Sequence, residues 1–167
     1  MSAPLEMTAP ATTAVSSQQK RKILLVDDDP AIRQILVRLL SEEGYTVMTA
    51  ANGVEALVAV GAAKVDLVLL DLNMPVKDGW ETFEQLSASN PALPIILITA
   101  RPNQFFPALA SGVGALLEKP LDFTRLFQTI QELIEEPAEE RLARLTGRSA
   151  AFSYVPPILA GQDRKAF

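Results

Sequence analysis

The sequence predicts an α/β protein in which an open parallel sheet of five strands carries helices on both faces. Short apolar runs alternate with segments whose apolar residues recur every three or four positions. The first pattern is typical of strands buried on both faces, and the second of amphipathic helices. Their alternation indicates strands joined by crossover helices, as in parallel sheets. The 167 residues, 49% of them apolar, suffice for one domain with a buried core.

The strands are predicted where apolar runs are short and end in polar or turn-forming residues. The third run, VDLVLLD, is too continuously apolar for a strand with one solvent face, so we expect it in the middle of the sheet. In chain order, the predicted strands are residues 22–27, 45–50, 65–71, 94–99 and 115–118.

Three predicted helices begin at recognisable capping residues. Asp29 is followed by Pro30, and this pair suits an N-cap and a first helical residue. Asn52 and Asp122 stand in the same place before two other helical patterns. The first helix is predicted to end at Gly44, because glycine readily adopts the left-handed conformation that closes many helices.

The chain is predicted to consist of one folded domain between two tails. Residues 1–20 are rich in Ala, Thr, Ser, Pro and Gln, and we expect a disordered tail because they cannot bury enough apolar surface to offset ordering. Residues 21–137 hold the alternating pattern. Residues 138–167 are expected to form a short helix or to be disordered, and they are too few for an output domain. Within them, SYVPPILAG either binds a partner in extended form or is disordered.

Composition excludes several kinds of chemistry. The chain has no cysteine and no histidine, which rules out disulfides, thiolate or histidine catalysis, and metal sites built on either residue. Its net charge is −5, and residues 21–136 alone carry 16 acidic and 9 basic residues, or −7. No apolar run approaches the roughly 20 residues of a transmembrane helix. We therefore expect a cytoplasmic protein that binds neither nucleic acid nor membranes.

Polar residues gather where the predicted strands end. Asp27 and Asp28 come at the end of the first strand, Asp71 ends the third, Thr99 ends the fourth, and Lys119 follows the fifth. The carboxyl ends of parallel strands share one edge of the sheet, and neighbouring strands lie about 4.8 Å apart, so these side chains can converge. No single residue is diagnostic, but their combination at one edge predicts a functional site.

The predicted site has the chemistry of a phosphorylated carboxylate. Two or three clustered carboxylates favour Mg²⁺ or Mn²⁺, which prefer oxygen ligands. Such a cation would also offset the charge repulsion within the stretch DDDP. Asp71 ends the most apolar strand and is the predicted nucleophile, whose product would be an aspartyl phosphate. Lys119 can pair with one phosphoryl oxygen, and the Thr99 hydroxyl can donate to another.

These motifs resemble the receiver domain of two-component response regulators. The resemblance rests on ILLVDDDP, DLVLLDLNMPVKDG, IILITA and EKP, and it covers residues 21–137. It implies a flavodoxin-like (βα)5 fold with strand order 2-1-3-4-5. It also implies a phosphorelay signalling protein, not an enzyme, that a histidine kinase or phosphotransfer protein phosphorylates. A downstream protein partner would read the phosphorylated state, and a weak homodimer is left open.

The resemblance implies a phosphoacceptor and a set of metal ligands. Asp71 would accept the phosphoryl group. Asp27, Asp28, Asp71 and the backbone carbonyl of Asn73 would hold Mg²⁺ or Mn²⁺. Asp29 matches a position that is usually acidic but has no direct role at the metal, so we interpret it as the helix cap.

The resemblance also implies the residues that bind the phosphoryl group and respond to it. Lys119 would pair with the phosphoryl oxygens, and Thr99 would be the switch hydroxyl. Ala100 would keep the neighbouring space small. The bond from Lys119 to Pro120 would be cis, as in relatives.

Two features depart from the family pattern. Relatives carry Tyr or Phe three residues before the lysine, and Leu116 stands there instead, which puts the usual aromatic switch in doubt. The fourth connection contains Pro102 and Pro107, so we expect a short or distorted fourth helix. Phe105 and Phe106 lie in this segment, with one expected to tuck into the core.

Several functions remain open on the sequence alone. The protein could be a switch that alters binding to a partner, or a relay intermediate that passes its phosphoryl group to a histidine protein. A degenerate receiver that binds without phosphorylation is the alternative. A haloacid dehalogenase-type phosphatase is not supported, because that class needs a second acid where Asn73 stands.

Overall fold

The structure, a computed structural model, describes residues 20–75 and 78–159. The strands are β1 (Lys22–Val26), β2 (Thr46–Ala50), β3 (Leu67–Asp71), β4 (Ile95–Thr99), β5 (Ala115–Glu118) and β6 (Ser153–Val155). All pair in parallel, in the order β2-β1-β3-β4-β5-β6. The first five strands thus follow the flavodoxin-like order. Apart from Lys20, the predicted N-terminal tail lies outside the described residues.

In the part of the chain that the structure describes, six helices connect or follow the strands. They are α1 (Pro30–Glu42), α2 (Gly53–Ala62), α3 (Gly79–Ser89), α4 (Phe105–Ser111), α5 (Phe123–Glu135) and α6 (Ala138–Leu145). The predicted caps are confirmed: the side chains of Asp29, Asn52 and Asp122 each accept a hydrogen bond from a backbone N–H in the first turn. Gly44 follows α1 with φ +90°, as predicted. Within the described ranges, no helix combines the length and apolar character of a membrane span.

Alternate residues of the central strands fill two cores, one on each face of the sheet. One core packs β1 and β3 against α2, α3 and α4, and the other packs them against α1 and α5. All five residues of β3 are buried, as predicted for a central strand. The core residues of β1 and β3 are Leu24, Val26, Val68 and Leu70 on the first face, and Ile23, Leu25, Leu67 and Leu69 on the second. Burial on both faces fixes the strand register, since a shift by one residue would exchange the two sets.

The prediction of a five-stranded sheet is wrong by one strand. Residues Ser153–Val155, within the stretch SYVPPILAG, form β6 against the outer edge of β5, with Tyr154 opposite Leu116. Three residues are too few to show a strand period in the sequence, and Pro156 and Pro157 follow at once. The strand forms because the edge of β5 offers unpaired backbone groups. This cause lies in a distant part of the chain, so the local sequence pattern does not reveal it.

The C-terminal segment reaches β6 through α6, which is a separate helix after Pro137. Arg144 of α6 is 7% exposed. Its guanidinium contacts the Glu136 carboxylate and donates to the Gly112 carbonyl oxygen at 3.2 Å. These contacts hold α6 against the turn between α4 and β5.

The fourth helix is short, as predicted. α4 has seven residues and begins after Pro102. Pro107 is its third residue, where the missing N–H costs little because the first turn has no intrahelical acceptor for it. Gly112 ends the helix with φ +75°. Phe105 is partly buried and Phe106 is 76% exposed, so one of the two aromatic rings does pack inward.

Candidate functional site

The ends of β1 and β3 bring three carboxylates together. Asp27 and Asp28 directly follow β1, Asp71 is the last residue of β3, and these strands are neighbours. One carboxylate oxygen of each residue lies within 4.8 Å of the other two. Asp27 and Asp71 are 2% and 3% exposed, whereas Asp28 faces solvent. The cluster therefore combines two buried acids with one that is open to approach.

Backbone hydrogen bonds orient the two buried acids. The Asp29 N–H donates to Asp27 Oδ1 at 2.9 Å, and the Asn73 N–H donates to Asp71 Oδ1 at 2.8 Å. Each of these carboxylates thus keeps its other oxygen for a different partner. The Asp29 carboxylate turns away to cap α1 and is outside the cluster.

Lys119 supplies a positive charge to the cluster. Its Nζ donates to Asp71 Oδ2 at 2.9 Å and to Asp27 Oδ2 at 3.3 Å. The lysine follows β5, two strands away from β3, and its backbone N–H donates to the Thr99 carbonyl oxygen at 2.8 Å. The peptide bond between Lys119 and Pro120 is cis.

Thr99 ends β4, the strand between Asp71 and the Lys119 segment. Its side chain is fully buried, and its Oγ1 accepts a hydrogen bond from the Arg101 N–H at 2.9 Å. The hydroxyl proton is not needed for that bond and remains available to a second acceptor. Ala100 is exposed beside it.

The donor set of the cluster fits a hard divalent cation. Three carboxylates face one ammonium group, which leaves an excess of two negative charges at neutral pH when all are ionised. Oxygen-only ligands with one open side are typical of Mg²⁺ sites. Asn73 lies in the adjoining loop, and the ligation by its backbone carbonyl stays a prediction.

A profile of the response regulator receiver domain matches residues 23–131. The chain belongs to this family. The matched range runs from β1 into α5, so it contains the acid cluster, Thr99 and Lys119.

Curated relatives of this receiver domain include longer regulatory proteins. The transcriptional regulatory protein GlrR of Escherichia coli is 38% identical over 124 residues, which are 73% of this chain and 28% of GlrR. The response regulator MprA of Mycobacterium leprae is 35% identical over 139 residues, which are 82% of this chain and 61% of MprA. The chain therefore spans less than two thirds of the length of these relatives.

Solved receiver structures share the fold. A CheY-like receiver domain protein from Methanospirillum hungatei superposes with a TM-score of 0.67 at 30% identity, covering 72% of this chain and 98% of that one. The response regulator TrrA from Thermotoga maritima, in complex with Mg²⁺ and BeF, gives a TM-score of 0.64 at 34% identity, covering 68% and 98%. The flavodoxin-like class is confirmed by these likenesses.

Burial and charge shift two groups of the receiver site. Burial raises the pKa of the Asp27 carboxyl, and the nearby Asp71 charge adds to this, while the Asp29 hydrogen bond and Lys119 oppose it. Burial lowers the pKa of Lys119, but its hydrogen bond to Asp71 and the charges of Asp71 and Asp27 outweigh this, so that pKa is raised. Lys119 is therefore cationic at neutral pH. In the metal-free site, burial disfavours the charged form of the Asp27 carboxylate.

Arg101 is a residue of the receiver site that sequence reasoning missed. Its Nε donates to Asn73 Oδ1, and its Nη1 lies 3.5 Å from Asp78 Oδ1. Through its N–H it also binds Thr99. Arg101 thus ties the loop after β3 to the loop after β4. Its only sequence signal was its place directly after the β4 motif, which does not identify its partners.

Gly79 is required by close packing next to the phosphoacceptor strand. A Cβ at this position would overlap the Leu72 Cα and the Asp71 carbonyl oxygen. The sequence indicated a turn at Asp78-Gly79, but the reason for glycine is this contact and not a left-handed backbone. The first residue of α3 therefore lies directly against the segment that carries Asp71.

Replacing Asp27 with asparagine should stabilise the metal-free receiver and weaken its response to Mg²⁺. The folded protein binds the Asp27 proton more tightly than the unfolded chain, because its pKa is raised. This group therefore makes stability fall as pH rises through the range above 3.8, the ordinary carboxyl value. Asp27→Asn should raise the unfolding free energy at neutral pH by about 1 kcal/mol without metal.

Urea unfolding with and without Mg²⁺ checks this prediction. The stabilisation by Mg²⁺ should shrink in Asp27→Asn, because a ligand is lost. Glu84→Gln, which removes an exposed acid on α3, is the matched control and should change neither quantity. A loss of stability in metal-free Asp27→Asn would contradict this prediction. It would show that the hydrogen bonds stabilise the Asp27 carboxylate by more than its desolvation costs.

Proposed function

We propose that the chain is a Mg²⁺-dependent phosphoacceptor in a two-component signalling system, with Asp71 as the residue phosphorylated. The observation that carries this proposal is the Asp71 carboxylate. It is buried at the end of the central strand, grouped with Asp27 and Asp28, and held by Lys119 at 2.9 Å. A nucleophilic carboxylate needs this combination of fixed orientation and nearby positive charge to meet an anionic phosphoryl group.

The metal site of the proposal consists of Asp27, Asp28 and Asp71, with the Asn73 carbonyl as a further ligand. Bound Mg²⁺ or Mn²⁺ would neutralise charge on the carboxylates and on the incoming phosphoryl oxygens. Asp28 supports this role because its carboxylate belongs to the cluster and is exposed, whereas Asp27 and Asp71 are buried. The excess negative charge of the cluster favours such a cation.

The transfer step forms one bond and breaks one. An Asp71 carboxylate oxygen attacks the phosphorus of a phosphohistidine, the new O–P bond forms, and the N–P bond to the donor breaks. Lys119 exchanges its contact with the carboxylate for one with a phosphoryl oxygen. The Thr99 hydroxyl donates to another phosphoryl oxygen, and the small Ala100 side chain leaves room for that approach.

The partners of the proposal follow from the same chemistry. The donor is a sensor histidine kinase or a phosphotransfer protein, since this chain contains no histidine of its own. The phosphorylated form then changes binding to a downstream protein. The intact acid set and Lys119 favour this switch over a receiver that binds without phosphorylation.

Phosphoryl uptake from acetyl phosphate tests the proposal. The full chain is incubated with acetyl phosphate in the presence of Mg²⁺ or of EDTA, and the intact mass is measured. We expect a gain of one phosphoryl group with Mg²⁺ and little or none with EDTA. Uptake that is equal in both conditions would contradict the metal role, and no uptake in either would contradict phosphoacceptor function.

A further inference from the structure

The outer edge of β5 is occupied by the chain's own residues 152–158. Ser153–Val155 pair with β5 in parallel. The Ser153 N–H donates to the Gly114 carbonyl oxygen at 3.0 Å, and the Ile158 N–H donates to the Pro120 carbonyl oxygen at 3.1 Å. The segment is therefore fixed at both ends, and its second anchor lies next to Lys119.

The ring of Phe105 in α4 packs against two aromatic residues of the same segment. Its centroid lies 5.7 Å from that of Phe152 and 5.1 Å from that of Tyr154, both in edge-on geometry. Residues two apart on a strand point to one face, so Phe152 and Tyr154 meet α4 together while Val155 is buried on the opposite face. The surface thus recognises an extended segment with aromatic residues at positions i and i+2.

The apolar surface continues beyond its occupant. Phe106 packs edge-on against Phe105, at 5.3 Å between centroids, yet is 76% exposed, and Leu109 of α4 is 40% exposed. Residues 102–117 carry no charged side chain at all. Residues 152–158 cover Phe105 but leave Phe106 and Leu109 to solvent, so a longer apolar segment would bury more.

Three features of residues 152–158 and the turn before them favour displacement of this segment from the β5 edge. Its strand is only three residues long, so opening it breaks few backbone hydrogen bonds of the sheet. Pro156 and Pro157 have no N–H, which stops the pairing from growing and blunts the new sheet edge. The turn at Gly147, with φ +71° and open space around it, leads into the segment.

We propose that the β5 edge, together with Phe105 and Phe106, is a strand-addition site for an extended, uncharged, aromatic-bearing segment of a protein partner. Residues 152–158 occupy this site within the chain and must leave before the partner adds its strand. Because residues 152–158 are attached to the chain, they compete for the site at a high effective concentration. A partner therefore binds weakly until this segment is loosened. The site does not depend on phosphorylation of Asp71.

Binding of a labelled peptide with the sequence of residues 149–159 to the full chain tests the proposal. The full-length double variant Phe152→Ala/Tyr154→Ala loosens the attached segment but leaves the β5 edge and α4 intact. It should bind the peptide about tenfold more tightly than the wild type does. Adding Phe105→Ala should abolish this gain, and a peptide with alanine at both aromatic positions should not bind.

A second variant and a second measurement guard against misfolding. Ile158→Pro removes the donor to the Pro120 carbonyl and leaves Phe105, Phe152 and Tyr154 unchanged. Both variants should speed hydrogen exchange at the β5 amides while exchange in β1 and β3 stays slow. Equal peptide binding by the wild type and both variants would overturn the proposal. Self-association of the wild type through exchange of this segment would show that the site binds a second copy of the chain, and it would overturn the proposal of a different protein partner.

Failure of this proposal is distinguishable from failure of the proposed function. Peptide binding is measured without acetyl phosphate, and phosphoryl uptake is measured without peptide. Loss of one result therefore leaves the other intact.

Discussion

Asp71→Asn should abolish Mg²⁺-dependent phosphoryl uptake from acetyl phosphate. The amide keeps the size of the side chain, and its single oxygen can still accept the hydrogen bond from the Asn73 N–H, so the fold is expected to persist even though the bond from Lys119 to the second oxygen is lost. It cannot form an acyl phosphate, because it lacks the anionic oxygen that attacks phosphorus. We expect complete loss of the phosphorylated species in an intact-mass measurement.

Asp29→Asn is the matched control for this variant. It makes the same chemical change within the stretch DDDP, but at the acid that caps α1 and stands outside the cluster. Asparagine is as good an N-cap as aspartate, so neither stability nor uptake should change appreciably. Uptake that survives in Asp71→Asn, or disappears in Asp29→Asn, would contradict the assignment of the phosphoacceptor.

Lys119→Gln should strongly destabilise the metal-free protein. The variant leaves two buried carboxylates, 3% and 4% exposed at the side chain, without their shared cation. Removing one partner of a buried ion pair costs about 3–5 kcal/mol. Because a quarter of the lysine side chain is in solvent, we expect a loss of about 2–3 kcal/mol in unfolding free energy at neutral pH.

The pH and metal dependence of Lys119→Gln separates this cause from a simple packing defect. The wild-type contribution is present at neutral pH and should fade as pH rises through the raised pKa of Lys119. It should also fade in acid as the Asp27 carboxylate, whose pKa is raised, takes up a proton. Mg²⁺ should restore more stability to the variant than to the wild type, since the cation replaces the missing charge.

Urea unfolding with Mg²⁺ or EDTA measures these effects. Lys64→Gln removes an exposed lysine far from the cluster and is the matched control, with little expected change. A loss in Lys119→Gln that is the same at all pH values and insensitive to Mg²⁺ would show that packing, not charge, accounts for it.

The central sheet was predictable because its signals are local. The apolar runs of β1 and β3 and the caps Asp29, Asn52 and Asp122 record their structure in adjacent residues. The convergence of Asp27, Asp28, Asp71 and Lys119 followed from a general rule about the ends of parallel strands. These two kinds of information sufficed to place the three acids and the lysine together, but not Arg101.

The features that sequence reasoning missed depend on contacts between distant segments. β6 forms only because it can pair with β5, and the paired residues Leu116 and Tyr154 are 38 positions apart in the sequence. The hydrogen bond from Arg101 to Asn73 joins residues 28 apart. Such pairings leave no period or motif in a single sequence, so only the folded chain reveals them.

The effect of Leu116 is also visible only in the structure. The resemblance to receiver domains implied an aromatic residue at this position, and the sequence indicated only its loss. In the folded chain, Leu116 is fully buried and pairs with Tyr154 of β6, whose ring contacts Phe105. An aromatic side chain thus reaches this face from the neighbouring strand and not from β5.

The most direct test of the central claim is to locate the phosphoryl group. After reaction with acetyl phosphate and Mg²⁺, borohydride reduces an aspartyl phosphate to homoserine and releases phosphate. Peptide mapping then identifies the converted residue. The proposed function predicts homoserine at position 71 alone, and only in samples that contained Mg²⁺. Conversion at another acid such as Asp27 or Asp28, or no conversion at all, would contradict it.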